Sequence, residues 1–161
     1  MRAIAIDLDG VLGDTRPLWR DWLKDAARRF RSIAPLDPEA LPEDRYAAAA
    51  ELDSWAERGV GDWRAALERF AEDRAPVYLR PSADATAALR ALAAAGCRIG
   101  VFTDAPAPLA RVALAHLGAE RRVDALETGE RVRALERLSE RLGEQVEVVE
   151  SLSELRLVSR A

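Results

Sequence analysis

A short apolar run, Ala3 to Leu8, opens the chain and is bounded by Asp9-Gly10; its length and its isoleucines predict a buried strand ending near Asp7. From Leu18 the apolar spacing becomes helical. Trp19, Trp22, Leu23, Ala26 and Phe30 recur on one face, which predicts an amphipathic helix with a bulky apolar side. A proline-rich break from Pro35 to Pro42 follows. Glu43 to Arg58 then reads as a second helix, with Pro42 near its start and Gly59 past its end. Trp63, Ala66, Leu67 and Phe70 mark a third helix. All four tryptophans lie between Trp19 and Trp63, so these helices are expected to share a small core of their own.

Beyond Pro76 and Pro81 the pattern turns into strands alternating with helices. An alanine-rich helix, Ala83 to Ala95, stops at Gly96, and Arg98 to Phe102 is a strand running into Thr103-Asp104. Pro108 to Leu117 is helical, Val123 to Leu126 strand-like, Glu130 to Leu142 a strongly charged helix, and Val146 to Val149 a last apolar strand. Such alternation implies an α/β fold, a Rossmann-like parallel sheet covered on both faces. The stretch Ala75 to Pro81 is the expected return from the helical insertion to that sheet.

Composition narrows the partners. With 49% hydrophobic and 32% charged residues the chain matches globular proteins rather than disordered tails. A net charge of -4, with acids and bases interleaved, leaves no basic face for a nucleic-acid backbone. Cys97 stands alone, which excludes an internal disulfide and fits a reducing compartment. The apolar run at the N-terminus is too short for a signal peptide or a membrane span, so a cytoplasmic location without membrane contact is expected.

The segment with most chemical content is Ile4-Ala5-Ile6-Asp7-Leu8-Asp9-Gly10-Val11-Leu12. Its two carboxylates, one residue apart at the carboxyl end of a buried strand, lie where ligands gather in open α/β sheets. They could share a divalent cation, with one free to attack and the other to shuttle a proton. Alone, the tetrad reads more readily as a strand end followed by an ordinary Asp-Gly turn. A second strand changes that reading: Ile99-Gly100-Val101-Phe102 ends in Thr103, whose hydroxyl and N–H could hold a phosphoryl oxygen beside the first strand end.

Together, Asp7-Leu8-Asp9-Gly10-Val11 resembles the first motif of the haloacid dehalogenase (HAD) superfamily, and Val101-Phe102-Thr103-Asp104 resembles the second. The resemblance covers most of the chain and is similar to the phosphoglycolate-phosphatase-like branch. It implies a HAD core over residues 1–14 and 80–161, without its last strand, and an inserted α-helical cap over 15–79. It also implies a Mg²⁺-dependent phosphatase acting on a small phosphorylated metabolite. Asp7 would form an aspartyl-phosphate, Asp9 would act as general acid and then base, and Thr103 would bind the phosphoryl group. Dehalogenases lack the second aspartate; phosphonate-cleaving members have alanine there and a cap lysine. Asp9 argues against both, although Lys24 lies in the first cap helix.

Two motifs depart from the family pattern. The third normally supplies a lysine, and the core has none, because Lys24 is the only lysine in the chain; Arg131 or Arg133 could supply the charge, since guanidinium binds phosphate well. The fourth normally supplies Gly-Asp. Here Val149-Glu150 stands in its place with Glu154 four residues on, which makes Glu150 a candidate metal ligand beside Asp7 and Asp9. These departures keep a second reading open, a catalytically degenerate phosphate-binding or protein-interaction module. With the fourth strand expected at the sheet edge, a homodimer covering that edge is a further expectation.

Overall fold

The computed structural model describes residues 1–161. Four parallel strands form one sheet: β1 (Ala3–Asp7), β2 (Arg98–Thr103), β3 (Ala125–Thr128) and β4 (Glu147–Val149), in the order β3-β2-β1-β4. β1 lies inside the sheet, and Asp7 pairs in register with Phe102 while Ile6 pairs with Val149. The first two strands therefore end side by side.

Side-chain alternation along these strands separates the two faces of the sheet. Ile4, Ile6, Ile99, Val101 and Val149 face one side, packed against α4 (Ala83–Ala94), α5 (Ala107–His116) and α7 (Leu152–Arg160). Ala3, Ala5, Phe102 and Ala125 face the other, against Ala134, Leu138 and Leu142 of α6 (Arg131–Leu142). That second floor is built of small residues. A Cβ on Gly100 would lie 2.8 Å from Leu138, so glycine is what lets α6 approach the sheet so closely. Phe102 is the one bulky residue there, and it sits at the carboxyl end of the sheet, in register with Asp7.

Between β1 and α4 lie three further helices, α1 (Arg16–Arg29), α2 (Arg45–Trp55) and α3 (Trp63–Tyr78). The four tryptophans are buried among them. Trp19, Trp22 and Trp63 pack with ring centroids 5.5–6.4 Å apart, and Trp55 donates its indole N–H to the Ala34 carbonyl at 3.0 Å. This helical layer leans on the sheet layer, because Ala105 and Leu109 at the start of α5 belong to the same apolar cluster.

Several boundaries differ from the sequence expectation, each for a local reason. α3 continues through Pro76 to Tyr78; the proline falls in the last turn, and Leu79 still donates to the Ala75 carbonyl. The second helix ends at Trp55 rather than Arg58, in a wide turn over Ala56–Val60 that Gly59 permits at φ +110°. β3 begins two residues late, because Asp124 is used as a clamp: its carboxylate accepts from the Ile99 N–H and its own N–H donates to the Ile99 carbonyl. α7 was not expected. It is held by a Ser151 N-cap and by Arg2, which donates to the Val158 carbonyl. No helix is long and apolar enough to cross a membrane.

Candidate active site

The loop after β1 is fixed by its backbone. Leu8 donates to the Phe102 carbonyl, Leu12 and Gly13 donate to the Leu8 carbonyl, and Gly10 turns at φ +92° to donate to Gly13. Asp7 and Asp9 are thereby presented at the carboxyl end of the sheet from a short rigid loop. Their environments differ sharply.

Asp9 is saturated. One carboxylate oxygen accepts from both the N–H of Thr15 (2.8 Å) and its hydroxyl (2.7 Å); the other accepts from the Thr103 hydroxyl (2.9 Å) and the Arg45 guanidinium (2.5 Å). Thr15 precedes α1 as its N-cap but makes no capping bond of its own, having given its side chain to Asp9. The Thr103 hydroxyl accepts from the Ala105 N–H at 3.1 Å, so its single proton is free only for Asp9 or for something that replaces Asp9.

Arg45, the first residue of α2, is 2% exposed. Its guanidinium donates to Asp9, to Thr15 and twice to Asp104, and its backbone N–H donates to the other Asp104 oxygen at 2.9 Å. Burial pushes the Asp104 carboxyl up, but the Arg45 hydrogen bonds and charge outweigh it and hold the group below the usual carboxylate range. For Arg45 burial acts downward and the Asp9 and Asp104 charges win, raising it further.

Asp7 lies on the other side of this balance. Partial burial, helped by the Asp9 charge, pushes its carboxyl up to about 6; the Asp9 N–H and the Arg131 charge offset only part of that. Arg131, at the start of α6, lies over the Phe102 ring with its guanidinium carbon 5.0 Å from the centroid and pairs with Glu150 at 3.1 Å. Both charges act on Asp7. The fold thus gathers Asp7, Asp9, Thr103, Arg131 and Glu150 at one end of the sheet.

Arg133, the alternative to Arg131, is exposed, as is Lys24 on α1. Glu154 turns its carboxylate onto the Glu150 N–H while Ser151 caps the Glu154 N–H, a helix-start role rather than a ligand role. No three carboxylate, imidazole or thiol side chains converge to hold a metal. In particular, the expectation of Asp9 as a metal ligand through its side chain meets a carboxylate whose four acceptor positions are filled.

Arg45, Thr15 and Asp104 were not singled out by sequence. One signal was available: Arg45, Ala48, Leu52 and Trp55 are the buried positions of α2, so the arginine lies in line with an apolar helical stripe. Beside it, a cleft of about 520 Å³ opens between α2 and the loops after β2 and β3, lined by Arg45, Tyr46, Asp104, Thr128 and Gly129 among others.

A family model described as haloacid dehalogenase-like hydrolase matches residues 1–149. Among solved structures, CbbY from Rhodobacter sphaeroides in complex with phosphate is similar, with 19% identity and a TM-score of 0.65 over 99% of this chain and 82% of that one. The same protein with xylulose-1,5-bisphosphate gives 18% identity and a TM-score of 0.66 over 93% and 76%. A HAD phosphatase from Thermococcus onnurineus gives 20% and 0.60 over 93% and 77%. No curated protein sequence matches.

Proposed function

The chain belongs to the haloacid dehalogenase-like hydrolase family, and we propose that it is a phosphatase that hydrolyses a small phosphorylated metabolite through an aspartyl-phosphate on Asp7. The observation that carries this reading is the contrast at the strand end. Asp7 is a half-buried carboxylate whose charged form is disfavoured and which no side-chain donor satisfies, while every buried side-chain polar atom has a partner. Holding a carboxylate in that condition costs stability; a nucleophile needs it.

In the first step an Asp7 oxygen attacks phosphorus and the bond to the leaving oxygen breaks. Asp9, which takes a proton from solvent at the position Thr103 vacates when it turns to the phosphoryl group, gives that proton to the leaving oxygen. In the second a water attacks the phosphorus of the acyl phosphate, Asp9 takes the water's proton, and phosphate leaves with Asp7 restored. Thr103 donates its hydroxyl to a phosphoryl oxygen, and Arg131 offsets phosphoryl charge in place of a lysine. Solved structures of the same fold in complex with phosphate and with xylulose-1,5-bisphosphate support a phosphorylated ligand.

Mg²⁺ fits the donor set through Asp7 and Glu150, since this ion is commonly held by one or two carboxylates with water and substrate oxygens completing its shell. When bound it would neutralise phosphate charge. Residues 15–79 act in this reading as a cap that excludes water.

The test is hydrolysis of 4-nitrophenyl phosphate with Mg²⁺ by the wild type and by Asp7→Asn, prepared identically. Mg²⁺-dependent turnover that drops by on the order of 10³-fold or more in the variant is expected. Equal rates would instead favour a binding module that no longer turns over.

A further inference from the structure

We infer that Arg45 is a positioning residue: it fixes the heading of the Asp9 carboxylate and, through Asp104, makes that heading depend on the docking of α2 against the sheet layer. This deepens the reading above, since it takes Asp9 as the proton-transfer group.

Four donors converge on Asp9, and they are not equivalent. Thr15 supplies two from the start of α1, Arg45 one from α2, and Thr103 one from the end of β2. Two of the four are hydroxyl protons, which can turn away without moving backbone. Of these, the Thr103 proton is the one at the end of β2, beside the proposed phosphoryl position, whereas the Thr15 hydroxyl starts α1 and is itself held by Arg45. When a phosphoryl oxygen takes that proton, one acceptor position of Asp9 is vacated on the oxygen that Arg45 still holds. It faces the group that Thr103 has just bound. Arg45 thus keeps the carboxylate aimed while Thr103 is exchanged, the preorganisation that proton transfer to a leaving oxygen requires.

The same guanidinium reports whether α2 is seated. Asp104 accepts from the Arg45 N–H, which is one of the unpaired donors at the helix start, and from two guanidinium N–H groups. Separating α2 from Asp104 therefore withdraws the donor from Asp9. Arginine suits both tasks because its planar fork reaches two carboxylates and a hydroxyl at once; lysine offers no such fork.

Two measurements test this. The first is a series of substituted phenyl phosphates whose leaving groups run from good to poor, assayed with wild type, Arg45→Met and Arg45→Lys. Both variants are expected to lose about tenfold or more on phenyl phosphate than they lose on 4-nitrophenyl phosphate, because only the poorer leaving group needs the proton from Asp9. The second is amide hydrogen exchange in Asp104→Asn, with Ile6 in β1 as a marker of the intact core. Faster exchange at Thr15, which does not touch Asp104, is expected alongside Arg45. Equal losses across the phosphate series, or a Thr15 amide unmoved by Asp104→Asn, overturns the proposal. If the wild type hydrolyses none of these phosphates, the phosphatase reading fails on that ground, and the Thr15 amide alone decides whether Arg45 couples α2 to Asp9.

Discussion

Two arginine–carboxylate pairs flank the same strand end, and they are built in opposite ways. Arg45 and Asp9 are 2% and 9% exposed, part of a network in which every buried polar atom has a partner. Arg131 and Glu150 are 47% and 54% exposed, and the arginine has only the Phe102 ring beneath it and one carboxylate beside it. A buried pair is costly to form and more costly to break, whereas an exposed one is nearly neutral. In the proposed reading the difference divides the labour: the α2 side is locked and sets geometry, and the α6 side is loose and would give its charge to an incoming phosphoryl group.

The largest effect on stability is therefore expected on the locked side. Arg45→Met removes one partner of a buried network, leaving Asp9 and Asp104 without their shared cation, and should cost about 3–5 kcal/mol. Urea unfolding at neutral pH reads this as a lower midpoint at unchanged slope. A loss below about 1 kcal/mol would mean that the network is as loose as the Arg131 pair, and the contrast would collapse.

Removing the Asp7 carboxylate should do the opposite. The folded state holds the Asp7 carboxyl at about 6, above its ordinary 3.8. A folded value above the unfolded one contributes stability that is fully present below about pH 3.8 and lost as pH rises through about 6. At pH 7.5 the wild type therefore carries a penalty that Asp7→Asn lacks. At face value that is about 3 kcal/mol, and about 1–2 kcal/mol once solvent screening at a partly open site is allowed for. Thermal unfolding in EDTA should show the variant melting about 3–6 °C higher at pH 7.5, with the gap closing near pH 4. A variant that melts lower at pH 7.5 would show that Asp7 is satisfied by contacts of its own.

The comparison also explains how much could be read before the fold was known. Strand β1 with its carboxylates, and strand β2 with Thr103, were legible because local signals agree there: short apolar runs, an Asp-Gly turn, and a threonine at a strand end. The loose side was half legible, since Arg131 and Glu150 are near their strand ends in sequence. The locked side was not. Arg45 meets Asp9 and Asp104 across separations of 36 and 59 residues, and in a chain rich in arginine no local pattern distinguishes it except its place in the buried stripe of α2. Likewise α7 is short, and its hold on the core runs through Arg2 and the face of α4, which only the fold brings near.

The smallest stability effect belongs to the exposed pair. A double-mutant cycle of Arg131→Met and Glu150→Gln should give a coupling energy for folding below about 1 kcal/mol, falling further in high salt. That near-neutrality makes the pair useful as a probe. With the denaturation midpoint unchanged, any fall in Mg²⁺-dependent turnover in Arg131→Met is a loss of interaction with the phosphoryl group rather than of structure. A higher Mg²⁺ requirement in Glu150→Gln would likewise be a loss of an ion ligand. A folding coupling above about 2 kcal/mol would reverse that logic: Arg131 would then be held by Glu150 as firmly as Arg45 is by Asp9, and it would have no charge to lend.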